Sequence, residues 1–145
     1  MKNIIYSVIL TFFTITPVMA DEAKFGDYTL NYTVFESTFL QPNIAQQYGF
    51  TRSKNKGLLN VALIKERSGK LPLSVPAVVT AKVRNLLGQI VTLEFTTIKE
   101  GDAIYYIAPF SKTDDEILKF EITARLNANS PAMTVNTQKH LYVDR

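Results

Sequence analysis

Residues 117–127 read "ILKFEITARLN". Leu118, Phe120, Ile122, Ala124 and Leu126 share one parity, while Lys119, Glu121, Thr123, Arg125 and Asn127 share the other. Successive side chains of a strand point to opposite faces, so this unbroken alternation marks a strand with one dry face and one wet face.

The same period recurs on both sides of it. Upstream, "FGDYTLNYTVF" (25–35) places Tyr28, Leu30, Tyr32 and Val34 on one face, and Leu59, Val61 and Leu63 alternate before the turn "ERSGK". Prolines 72 and 76 confine "LPLSVP" to a connection or a sheet edge. "AVVTAKVRNL" (77–86) and "QIVTLEFTTI" (89–98) flank Leu87-Gly88, which predicts a hairpin. "KEGD" (99–102) turns the chain into "AIYYIAPF", closed by Pro109. Downstream, "ANSPA" leads to a last strand, "MTVNTQKHLYV". About seven strands at short spacing, with no long helix, predict an all-β chain: a single antiparallel β-sandwich, immunoglobulin-like in architecture. One short helix is expected after the first strand. A small closed barrel is the alternative.

The first twenty residues stand apart. Lys2 precedes the apolar run Ile4 to Thr16, and "VMA" (18–20) puts Val18 and Ala20 where signal peptidase takes small residues. This predicts a signal peptide over residues 1–20, a domain over 21–145 and a periplasmic location. The rival reading is an uncleaved anchor, which Pro17 disfavours, so no stable membrane span is expected after cleavage. The chain has no cysteine. That excludes a lipid-anchored lipoprotein, disulfide bracing, thiolate metal sites and thiol catalysis, and no cofactor is expected. The formal net charge is +3; losing Lys2 takes it to about +2, too mild to imply nucleic acid or another polyanion.

Candidates for chemistry are few. His140 is the single histidine, and its nearest carboxylate in sequence is Asp144; a triad needs a base held beside both a nucleophile and an orienting acid. It reads as a surface residue on the polar parity of Asn136 and Gln138. The "TDDE" run (113–116) lacks the glycine and the ligand spacing of a calcium loop, so Thr113 or Asp114 is expected to cap a turn. Glu36, Glu94 and Glu121 could supply a glycosidase-like pair, although Glu94 and Glu121 fall on outward parities. "NYT" (31–33) matches a glycosylation sequon by chance.

"STFLQPNIAQQYGFTRSKNKG" (37–57) breaks the strand period. Pro42 suits a first helical turn, Ile44, Ala45 and Tyr48 share a helical face, and Gly49 suits the position after the end. Arg52, Lys54 and Lys56 follow at alternate positions, with Phe39, Tyr48 and Phe50 close in sequence. One reading makes the helix a plug at an open end of the sandwich, with its cations in water. The other makes a recognition surface, in which Arg52 with Ser53 or Gln41 holds an anionic or carbonyl group, since binding residues concentrate on irregular segments of rigid scaffolds.

Residues 26–63 carry "GDY", "F-x-STFL-x-P-x-IA", "YG" and "RSKN-x-G-L-x-N", and further on stand "VRNLLGQ" (83–89) and "F-x-ITA" (120–124). With these the chain resembles a domain-of-unknown-function family of small exported proteins of Gram-negative bacteria. The resemblance covers nearly the whole chain after the leader and implies a periplasmic, single-domain, β-rich protein with no assigned activity. Phe50 departs from the aliphatic residue expected there. The combined expectation is a non-enzymatic domain that binds an envelope protein, glycan or lipid headgroup through Phe39, Gln41, Tyr48, Arg52, Ser53, Lys54 and Lys56. The alternative is a cell-wall hydrolase or lyase using Glu36 or Glu94 with Arg52. A third reading, edge pairing near residues 71–76, is poorly served by prolines.

Overall fold

A computed structural model describes residues 20–143. The expected leader before Ala20, and Asp144, lie outside the described residues. Ten strands form in chain order: β1 (Asp21–Phe25), β2 (Tyr28–Glu36), β3 (Lys56–Lys65), β4 (Leu73–Ser74), β5 (Val78–Asn85), β6 (Ile90–Thr92), β7 (Thr96–Glu100), β8 (Ala103–Ser111), β9 (Glu116–Arg125) and β10 (Met133–Leu141). A 3₁₀ turn (Ser37–Phe39) and the helix α1 (Pro42–Tyr48) lie between β2 and β3.

The strands pair antiparallel in two sheets. The larger has the order β1-β2-β3-β8-β7 with β4 on the flank of β3, and the smaller has the order β10-β9-β5-β6. This is the expected antiparallel sandwich. The quoted stretch is β9, paired with both β10 and β5. Its apolar parity is dry as far as Ala124: Leu118, Phe120, Ile122 and Ala124 are buried, while Lys119 and Glu121 are exposed, and Leu126, past the end of the strand, is exposed rather than buried. The four buried side chains meet Leu30, Leu59, Val61, Leu63, Ala108 and Phe110 of the opposite sheet in one core.

Three strands go beyond the seven read from the period. β1 makes a hairpin with β2 through a turn at Gly26 (φ 61°), so the helix follows the second strand rather than the first. β4 is a two-residue edge piece. The stretch 89–98 is two strands in different sheets: β6 pairs with β5, the backbone N–H of Leu93 makes a last bond to the Ala81 carbonyl (2.9 Å), and β7 then pairs with β8. Pro109 does not end β8, because β7 accompanies β8 only as far as Ile107 and leaves a flank that the ring's missing N–H can face.

The helix is not an end plug. Ala45 and Phe50 pack with Leu58, Ile98 and Ile107, and Leu40, Tyr48 and Phe35 complete the cluster. Leu58 and Ile107 have the parity opposite to the sandwich core, so α1 covers the outer face of the larger sheet. β3 is therefore dry on both sides, with Leu58, Leu59, Val61 and Leu63 at 0% exposure. Pro42 begins the helix, and Gly49 ends it in the left-handed region (φ 74°), where its N–H bonds Gln46 and that of Phe50 bonds Ala45.

Candidate functional site

The insert is sewn to its own scaffold. The Ser37 hydroxyl is fully buried; it donates to the Ser53 carbonyl (2.8 Å) and accepts from the Ser53 N–H (2.9 Å). The two ends of the insert are thereby held together by one side chain. Beside this stitch, the Arg52 guanidinium donates to the Thr38 carbonyl at 3.0 Å. Arg52 and Ser53 thus brace the segment. Phe39 is 53% exposed, Gln41 precedes the helix and is exposed, and Tyr48 is half-buried against the sheet.

Lys54 and Lys56 are placed differently. With Asn55, Ser111, Thr113, Asp114 and Val143 they border an open basin of about 600 Å³. The Lys56 ammonium donates to the Ser111 hydroxyl at 2.8 Å, while Lys54 is exposed. The seven expected residues therefore divide: Arg52 bonds the Thr38 carbonyl and the Ser53 backbone bonds the Ser37 hydroxyl, Tyr48 seats the helix, Phe39 and Gln41 are exposed, and the two lysines face a common concavity.

The basin's floor rests on a residue that sequence reasoning missed. Lys112, 3% exposed, pairs with Glu36 at 2.8 Å and donates to the Tyr142 carbonyl, while its backbone N–H bonds Asn55 at 2.9 Å. It ties together the end of β2, the β8–β9 turn and the chain after β10. A lysine amid "SKTDDE" carries no local sign of burial; the "VFE" end of β2 is the only hint of a partner. Glu36 and Lys112 also border a small cavity of about 140 Å³ with Phe39, Gly57, Phe110 and Leu141. Glu94 lies exposed in the crossing between the sheets.

His140 is exposed but not solitary. Its Nε2 lies 2.5 Å from the Asp115 carboxylate, and its Nδ1 lies 3.1 Å from the Tyr142 hydroxyl, with the two rings stacked at 4.5 Å. Asp115 holds this place at φ 55°. In the same turn Glu116 accepts from the Thr113 N–H and hydroxyl, and Asp114 accepts from the Val143 N–H. The "TDDE" carboxylates thus order the turn and anchor the chain end. Among the described residues no three of His, Cys, Asp and Glu are grouped as metal ligands would be.

Fold and site together define a small antiparallel β-sandwich with a helical insert braced on one outer face. Residues 22–144 match the domain of unknown function DUF4426, and the chain belongs to that family. A crystal structure of a DUF4426 family protein from Pseudomonas aeruginosa PAO1 is similar, with 36% identity and a TM-score of 0.74 over 87% of this chain and 97% of that one. FetP of uropathogenic Escherichia coli strain F11 shares the fold at 10% identity. Its copper-bound E46Q variant has a TM-score of 0.60 over 87% of this chain and 92% of that one. The as-isolated form, expressed in the periplasm, matches at 11% identity and a TM-score of 0.60, over 86% and 95%. No curated protein matches the chain by sequence.

Proposed function

We propose that this protein is a non-enzymatic binding domain of the periplasm, which takes an anionic group of an envelope partner at the basin beside Lys54 and Lys56. The observation that carries the reading is their convergence, two neighbouring cations opening onto one concavity with the hydroxyls of Ser111 and Thr113 beside them. The basin is built on the Lys112 hub and the Ser37 stitch, so its rim is held in place before a partner arrives, which lowers the ordering cost of binding. Lys54 and Lys56 steer and pair with negative charge, and Arg52 acts one step back by holding the segment.

The rival hydrolase or lyase has less to stand on. Its acid Glu36 is held by Lys112, and its cation Arg52 is bonded to the Thr38 carbonyl.

Cross-linking capture from the periplasm, comparing the protein with its Lys54→Ala/Lys56→Ala variant, tests the reading. The variant is expected to keep its melting temperature and to lose most of its partner, with the loss shrinking as salt rises. Equal capture by both proteins would dismiss it.

A further inference from the structure

A second surface, remote in sequence from the insert, carries its own argument. The β5–β6 turn reads "NLLGQI", and the two residues at its centre, where polar residues are usual, are Leu86 (68% exposed) and Leu87 (86%). Ile90 (52%) and Val91 (60%) extend the apolar tip down β6. The turn is stiff: Gly88 (φ 84°) donates to the Asn85 carbonyl, the Asn85 and Gln89 side chains bond each other at 2.7 Å, and Asn85 also takes the Gln89 N–H at 2.9 Å. These bonds pair the polar groups of Asn85 and Gln89 and the Gly88 N–H, and leave the polar groups at the apex beside Leu86 and Leu87 at headgroup depth, where water and phosphates are within reach.

Directly below, the outer face of the smaller sheet is basic. Arg84 sits opposite Lys119 in the β5–β9 register, and Lys82 sits opposite Glu121. Like charges directly across a sheet are destabilising, and among the described residues no hydrogen bond or ion pair relieves Arg84 or Lys119. Both border a trough of about 380 Å³ together with Lys82, Ile90 and one carboxylate, Glu121, so three cations face a single acid there. A convex apolar tip above a cationic trough fits one kind of partner: a soft apolar phase beneath a layer of phosphates. A glycan would leave the leucines unused, and a folded protein would need a pocket shaped to the tip.

We propose that the β5–β6 hairpin is a membrane-contact element, in which Leu86 and Leu87 enter the interface of an anionic bilayer while Arg84 and Lys119 hold lipid phosphates. It does not depend on the Lys54–Lys56 basin. The test is flotation of the chain beginning at Asp21, where β1 starts, with phosphatidylcholine vesicles with and without about one-third phosphatidylglycerol. Binding is expected on the anionic vesicles only. It should fall at least tenfold in Leu86→Ser/Leu87→Ser, and about fivefold per charge in Arg84→Gln and Lys119→Gln, less at high salt. All four side chains are exposed, so an unchanged melting temperature controls for folding. The proposal is overturned by absence of flotation, by equal flotation on neutral vesicles, or by a leucine variant that floats as well as the parent. It is also overturned if inorganic phosphate alone displaces the protein while the leucines prove irrelevant, or if the leucine variant loses a self-associated form instead of its vesicle binding.

Discussion

Gly57 faces Phe110 across the β3–β8 pair, and an added Cβ there would lie 2.3 Å from the ring's Cζ. The ring cannot swing away, because Phe110 is 5% exposed and meets Phe120 edge-on at 5.1 Å. Gly57→Ala is therefore expected to cost about 2 kcal/mol and to lower Tm by roughly 5–10 °C in a scanning melt. Ser37→Ala removes, at a fully buried position, the hydroxyl that bonds both the N–H and the carbonyl of Ser53; the carbonyl keeps the Lys56 N–H, and about 2 kcal/mol is expected from denaturant titration. Lys112→Met should cost about 2 kcal/mol, because it leaves Glu36 and the Tyr142 carbonyl facing an apolar side chain. Little of this was legible in the sequence. Serine at 37 reads as a turn residue and lysine at 112 as loop, since their partners, Ser53, Glu36 and Tyr142, come from distant elements that only the finished fold brings near.

At the scale of elements, parity read most strands well and failed where a strand has two dry faces or changes sheet. "GLLNVALI" is apolar on both parities, the mark of a strand covered twice; attention to Leu59, Val61 and Leu63 alone hid Leu58 and with it the seat of the helix. The crossing at 93–95 contains no proline or glycine, so nothing local divides "QIVTLEFTTI". By contrast, Pro42 and Gly49 bounded α1 correctly because caps are local chemistry. Two outcomes follow from the helix seat. Gly49→Ala should cost about 1 kcal/mol for the left-handed backbone. Ala45→Asp, which places a charge where the helix meets the sheet, should raise hydrogen exchange in residues 37–53 while the sandwich amides stay protected. If exchange rises everywhere at once, the insert and the sandwich are a single cooperative unit.

At the scale of the molecule, the two sheets expose one edge each on the same flank, β1 and β10, and Lys139 reaches Asp21 across it at 2.6 Å. An inward-leaning lysine on an edge strand discourages pairing with another chain. The pair is partly exposed, so Asp21→Asn should lower stability by less than about 1 kcal/mol, with the difference vanishing in high salt. Sandwich class was readable from repeated short periods, whereas the placement of the insert and the basin was not, because both depend on which sheet face is left uncovered.

The doubly covered β3 also has a consequence in time. One flank finds β2 almost at once, but the other, apart from the short β4 pairing at Ile64 and Lys65, waits for β8, which begins at Ala103. Until that late segment arrives, the uncharged stretch 57–64 keeps most of one edge unpaired and is a template for aggregation. Non-local pairing of this kind places refolding on the millisecond-to-second scale. A chain halted before residue 103 should precipitate rather than rest as a half-built intermediate.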